Sequence, residues 1–324
     1  MITHWDEVEG NRRERGHIAA SWQPLTGTHS VTAGVQRISI DPGHWATPLH
    51  LEGSEEEIFY VLSGTGVSVQ WDGEKEEAFT VGPGDCLVHL ALEHAHTIGA
   101  GDEGLVVLAF GQRHYAASTL LPRAGVSWLG ATWVLEGAPD DHPWAREAAV
   151  GPPSWEALSE RPGRIVNVDD VDEFKHVGAT IARCGRDLGR AAGSERTGLR
   201  VYDVEPGKLM NAPHSHSAEE EIFVVLGGVG TVTVWPHPRS AHEPGRWEGG
   251  TDTHEIRAGH TIASPAGTGR PLSLQAGADG MRVLAYGTRD PNDIAYYPRS
   301  RKISFRGVGV IGRLEQLDYW DGEA

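Results

Sequence analysis

The chain says one sentence twice. Residues 49–64 read LHLEGSEEEIFYVLSG and residues 213–228 read PHSHSAEEEIFVVLGG. The same spacing of 164 residues sets VQRISIDPGHWATPLH (35–50) against LRVYDVEPGKLMNAPH (199–214), pairing Pro42 with Pro206, Gly43 with Gly207 and His50 with His214. Farther on, VGPGDCLVHL (81–90) meets IRAGHTIASP (256–265) and AGDEGLVVLAFG meets AGADGMRVLAYG, now 175 and then 176 residues apart. The extra residues lie in a Gly-, Pro- and His-rich insertion over 235–255. Two copies at such a period imply a duplicated domain with a core in each copy, not a solenoid.

Within each copy the apolar runs are short and bounded by turn formers. EIFYVL and EIFVVL end at Gly64 and Gly228, and VSVQW and TVTVW alternate as return strands. This pattern predicts an all-β chain. The expected domains are 1–131 and 165–324, joined by a connector at 132–164 that carries short helices. Ser154 is a candidate N-cap for WEALSER. In the tail, Phe305, Val308, Val310, Ile311 and Leu314 are expected to pack back onto a barrel.

Composition narrows the function. With 28 basic against 45 acidic side chains, the surface repels phosphate backbones and anionic lipid, so neither nucleic acid nor a membrane is an expected partner. Two cysteines cannot make a disulfide framework. With a polar N-terminus and no long apolar run, a cytoplasmic protein is expected, with a homodimer possible.

In a strand, residues i and i+2 share a face. His214 and His216 are therefore neighbours, and four residues later Glu221 begins the next strand and can return to them. The other copy offers His50, Glu52 and Glu57 in the same places. Imidazoles and carboxylates on one inward surface suit Fe²⁺, Mn²⁺, Ni²⁺ or Zn²⁺.

These residues resemble the first cupin motif, a Gly, a short spacer, H-x-H, Glu and a later Gly. They stand here at Gly207, His214, His216, Glu221 and Gly228, and at Gly43, His50, Glu52, Glu57 and Gly64. GPGDCLVHLALEHAHT resembles the second motif, at Pro83, Gly84 and Asp85 with His96 as its late histidine. The resemblance covers 35–111 and 199–287. It implies a bicupin of two jelly-roll β-barrels, with a divalent metal held by the motif histidines and glutamate.

Each copy departs from the pattern once. Glu52 replaces the second histidine, and Leu272 stands opposite His96. The principal site is therefore expected at His50, Glu52, Glu57 and His96, where oxygen donors favour Fe²⁺ or Mn²⁺. His214, His216 and Glu221 form a second site, expected weaker or vacant. Glu55, Glu56, Glu219 and Glu220 read as solvated turn residues, and Trp45 as lying near a pocket mouth. Cys86 reads as a small core residue. The function expected is a metal-dependent enzyme on a small polar molecule, of oxygenase type. A redox-neutral isomerase, epimerase or decarboxylase on a sugar or carboxylic acid is the alternative, and a non-catalytic binding protein a third.

Overall fold

The computed structural model describes residues 2–129, 142–237, 250–315, 317 and 320–323. The N-terminal half contains β1 (Ile2–His4), β2 (Asn11–Arg15), β3 (Ile18–Pro24), β4 (Ala33–Ile40), β5 (Leu51–Glu52), β6 (Glu57–Trp71), β7 (Glu76–Val81) and β8 (Asp85–His89). It continues with β9 (Ala95–Gln112), β10 (Ser118–Leu121), β11 (Val126–Leu129), helix α1 (Pro143–Val150) and β12 (Ile165–Asn167). The C-terminal half contains β13 (Glu173–Val177), β14 (Ala182–Asp187), helix α2 (Leu188–Ala191), β15 (Thr197–Val204), β16 (Ser215–His216), β17 (Glu221–Val234) and β18 (Asp252–Arg257). It ends with β19 (His260–Ser264), β20 (Leu272–Thr288), β21 (Ile294–Tyr297), β22 (Lys302–Phe305) and β23 (Val310–Arg313).

The larger N-terminal sheet runs β12-β8-β6-β9-β4-β3-β2 with β7 added to β6, and a smaller sheet runs β11-β10-β5. The C-terminal half repeats the scheme as β19-β17-β20-β15-β14-β13 with β18 on β17, beside a small sheet β16-β21-β22-β23. The repetition reaches irregular details. β6 slips register against β9 between Val61 and Ser63 and between Gly64 and Gly66. β17 slips against β20 between Val225 and Gly227 and between Gly228 and Gly230. Gly64 and Gly228 take φ of 80° and 79°. A Cβ on either would meet the carbonyl of Gly104 or Gly280 at 2.2 or 2.4 Å, so glycine is required at both bulges. The antiparallel, two-sheet plan in each half is the jelly roll that the resemblance implies.

Each half has an inward apolar face. In the first, Phe59, Val61, Leu87, Ile98, Leu105 and Val107 form one buried cluster. A second gathers Ile18, Trp45, Leu49, Val69, Leu121 and Trp144. Burying side chains of this size contributes roughly 1.5–3 kcal/mol each. Trp45 is 6% exposed and packs edge-on to Trp155, so it is a core residue and not part of a pocket mouth. The turn before β8 is held by Asp85, which receives Arg161 in a two-pronged ion pair at 2.9 and 2.7 Å, Asn167 Nδ2 at 2.8 Å and the Gly82 amide at 2.7 Å.

The connector helix forms at Pro143–Val150, capped by the His142 ring, which accepts from the Trp144 amide. Residues 155–161 are not helical. Ser154 instead donates its amide to Glu76, so the WEALSER helix is corrected to extended connector. The chain divides into two compact units, one of residues 2–172 with 186–200 and one of 173–185 with 201–324. Residues 186–200 thus cluster with the N-terminal unit, although sequence order puts them in the second domain. The expected packing of the tail is also corrected. Phe305, Val308, Val310, Ile311 and Leu314 remain 37–74% exposed, because β21, β22 and β23 form their own antiparallel layer.

Candidate metal centre

In the N-terminal half, the backbone fixes two histidines side by side. The His50 amide donates to the His96 carbonyl at 3.1 Å, and the His96 amide donates back at 2.8 Å. Their rings lie 4.6 Å apart. Glu57, the first residue of β6, brings Oε2 to 3.0 Å from His96 Nε2 and 3.6 Å from His50 Nε2. His50, Glu57 and His96 form one cluster whose ligand atoms all lie within 4.8 Å of one another.

Glu52 is not in that cluster. Its Oε1 stands 3.9 Å from His50 Nε2, and both its oxygens lie 3.0 Å from Thr119 Oγ1, which donates to them. The partner arises from register, since Thr119 of β10 lies directly opposite Glu52 of β5. Burial and the neighbouring charge of Glu57 push the Glu52 carboxyl up to about 7. Burial also opposes charge on Glu57, but hydrogen bonds from His50 and His96 outweigh it and hold that carboxyl well below the usual range.

His89, which its place on the strand marks as inward and packed, is a further neighbour outside the motif. It pairs across the sheet with Glu57 and stacks flat on His96, with centroids 3.7 Å apart and planes 3° apart. Burial first, then repulsion from His96, keeps His89 neutral. Its Nε2 is buried without a hydrogen-bond partner.

The C-terminal half reproduces the frame with different furniture. His214 exchanges backbone hydrogen bonds with Leu272, as His50 does with His96, so the structure places Leu272 at the position of the missing imidazole. His214 and His216 have ring centroids 4.8 Å apart. Glu221 Oε2 lies 3.4 Å from Nε2 of each. Tyr297 stacks on the His214 ring at 5.3 Å. His216 Nδ1 donates to Asp293 Oδ2 at 2.7 Å, while Asp293 Oδ1 accepts the amides of Ala218 and Glu219, both at 3.0 Å. Burial works against the Asp293 charge, but these three donors hold its carboxyl below the usual range. For His216, burial is outweighed by Asp293 and Glu221, which raise it to about 10.

Both clusters suit a cation. A carbonyl or carboxylate oxygen can only accept, so a ring nitrogen beside one carries the proton. Nδ1 of His50 faces Pro48 O at 3.0 Å, and that of His214 faces Ala212 O at 2.8 Å. Nδ1 of His96 faces His94 O at 3.4 Å, and that of His216 faces Asp293. With Nδ1 so engaged, each ring turns Nε2 toward Glu57 or Glu221; without a metal the Nε2 proton faces that carboxylate, and a cation would take its place. This is the outer-shell arrangement that orients metal-ligating imidazoles. His216 Nε2 is buried without a hydrogen bond of good geometry, and the group it faces is Glu221 Oε2 at 3.4 Å.

The acidic runs beside the ligands are not solvated turns. Glu56 is 1% exposed, Glu219 6% and Glu220 0%. Glu56 accepts Ser194 Oγ at 2.6 Å, the amides of Glu195, Arg196 and Thr197 at 2.8–3.1 Å, and the Thr197 hydroxyl. Glu219 pairs with Arg306, and with His216 and Asp293 makes a further acidic grouping. His254 is exposed, and His260 bonds the Arg257 backbone, so neither replaces Leu272. His242 lies outside the described residues.

Comparison with known proteins agrees with this geometry. Residues 36–111 match the family model for a cupin domain. A search of curated proteins returns no match. Among solved structures, a deletion mutant of Bacillus subtilis oxalate decarboxylase is similar, with a TM-score of 0.59 at 16% identity over 90% of this chain and 77% of that one. The Lactobacillus farciminis oxalate decarboxylase formate complex gives 0.57 at 16% identity, over 91% and 88%. At such identity the likeness speaks for the fold. Residues 36–111 thus carry a cupin domain, and the chain as a whole, with its duplicated motif, shares the fold of these decarboxylase structures.

Proposed function

We propose that this chain is a divalent-metal enzyme acting on a small carboxylic acid, with the N-terminal centre as its principal site. The observation that carries the reading is the set of four histidines whose Nδ1 atoms face backbone carbonyls or Asp293. That leaves the Nε2 atoms convergent with a glutamate in each half, where a cation would replace the proton between them. His50, His96 and Glu57 would hold the principal ion. His214, His216 and Glu221 would hold a second, weaker one. Mn²⁺ and Fe²⁺ fit this imidazole and carboxylate mixture, and Zn²⁺ and Ni²⁺ are the competitors to test. When bound, the ion supplies Lewis-acid charge to a substrate oxygen.

The chain's own residues do the rest. His89 backs the His96 ring and limits its rotation. Thr119 fixes Glu52 beside the ligand cluster instead of within it, so the Glu52 carboxylate faces the substrate and orients it. Leu272 gives the second centre an apolar wall where the first has an imidazole.

Redox-neutral decarboxylation is the first reaction to test, since the similar solved structures are of oxalate decarboxylases. The second reading is oxygenase chemistry, favoured by the two-histidine, one-carboxylate set that each half presents. Elemental analysis of untagged protein should find a transition metal that falls in His50→Ala and His96→Leu. A panel of small mono- and dicarboxylic acids should then release CO₂ without net O₂ consumption. O₂ uptake with an oxidised product supports the second reading. Metal-free protein that binds none of these ions overturns both.

A further inference from the structure

Two sheet edges have complementary character. One is β23, the last strand of the order β16-β21-β22-β23. Val310 and Ile311 on it are 52% and 64% exposed, with Val308 at 74% just before. The surrounding stretch 299–313 contains Arg299, Arg301, Lys302, Arg306 and Arg313 and no acid, in a chain with 45 acidic side chains against 28 basic ones. The other edge is β13, the last strand of the order ending β15-β14-β13. All five of its residues are exposed, Phe174 and Val177 among them. Asp169, Asp170, Asp172 and Glu173 lead into it. Lys175 is paired with Glu173.

An exposed, apolar sheet edge is a template for pairing with another chain, and proteins usually blunt such edges. These two are of similar length, five residues and four. We propose that β23 of one copy docks on β13 of a second copy, apolar against apolar, with the basic stretch 299–313 facing the acidic stretch 169–173. Charge decides against β23 pairing with its own copy. A β23–β23 pair would set two basic stretches side by side with no acidic side chain within 299–313 to neutralise them. A contact between two different patches either closes by symmetry or propagates.

Analytical ultracentrifugation of the full chain from micromolar to hundreds of micromolar tests this. Wild type is expected to associate, and more weakly as salt rises, because exposed charge pairs are screened. Arg313→Glu and Asp172→Lys should each weaken association by about tenfold or more, since each sets like charges face to face. The double variant should recover it. Ile311→Ser should weaken it by a similar factor without salt dependence of the loss. Far-UV circular dichroism and melting of each variant separate loss of docking from loss of fold, and recovery in the double variant does so again. A monomer at every concentration overturns the proposal. So does association that neither charge reversal changes.

Discussion

The two centres share a backbone and differ at four side chains, and the differences are matched in place. Where the first half has Glu52, its cross-strand neighbour is Thr119, which bonds the carboxylate. Where the second has His216, its cross-strand neighbour is Ala295, and the imidazole takes its partner from Asp293 instead. Where the first has His96 with His89 stacked on it, the second has Leu272. Ser264 occupies the place opposite Glu221 that His89 occupies opposite Glu57. A ligand-position change has thus travelled with its support. The second half keeps a well-oriented three-donor set but has a hydrocarbon wall. The first keeps a third ligand on the far strand and adds a second carboxylate. Duplication supplied one frame, and the two copies put different chemistry into it.

Five substitutions can break or sharpen that contrast. The largest expected effect is from removing ligands. His50→Ala should lower metal affinity at the N-terminal centre by more than about a hundredfold, beyond what outer-shell changes cost. His214→Ala should leave most metal bound under limiting supply. If His214→Ala empties the protein and His50→Ala does not, the ranking of the centres is reversed. Next, Leu272→His restores the fourth position, and metal titration should show the C-terminal centre tightening by about tenfold or more. A smaller change is expected from Asp293→Asn, which weakens the support of His216 and should cost the C-terminal centre about tenfold in affinity while leaving the N-terminal centre alone. Smallest is Thr119→Val. It removes the hydrogen bond to Glu52 and should destabilise the fold by about 1–3 kcal/mol in urea unfolding, with metal content unchanged. Loss of metal in Thr119→Val would return Glu52 to the ligand set.

Much of the fold and most of the candidate site were legible in the sequence for one physical reason. A duplicated β domain repeats its turn glycines and inward side chains at a fixed interval, so Gly64 and Gly228, His50 and His214, and Glu57 and Glu221 announce each other. The longer interval of 176 residues that follows the insertion exposed Leu272 as the missing imidazole, and the backbone bridges place it there. What was not legible depends on partners far away in the chain. Glu56 sits in a run of three glutamates that looks solvated, yet its donors lie 138–141 residues on. Thr119 and Asp293 carry no motif, and only strand register or a loop brings them to Glu52 and His216. The tail failed for a different reason. Its apolar residues promised burial, but the strands they form pair with one another at an edge.

The clasp on Glu56 changes what it means to divide this chain. A tandem duplication invites a cut between the copies, and residue 172 ends the first contiguous stretch of the N-terminal unit. A fragment ending there would keep Glu56 and Glu57 but lose Ser194, Thr197 and the amides between them. Removing the partners of a buried charge costs on the order of 3–5 kcal/mol, a large share of what a domain has. In the intact chain those donors are tethered, and their effective concentration is set by the connecting residues. Supplied separately they must arrive by diffusion. Folding of the first half would become a second-order reaction, its yield rising with fragment concentration, and the half-length gene would behave as one component of a complementation pair.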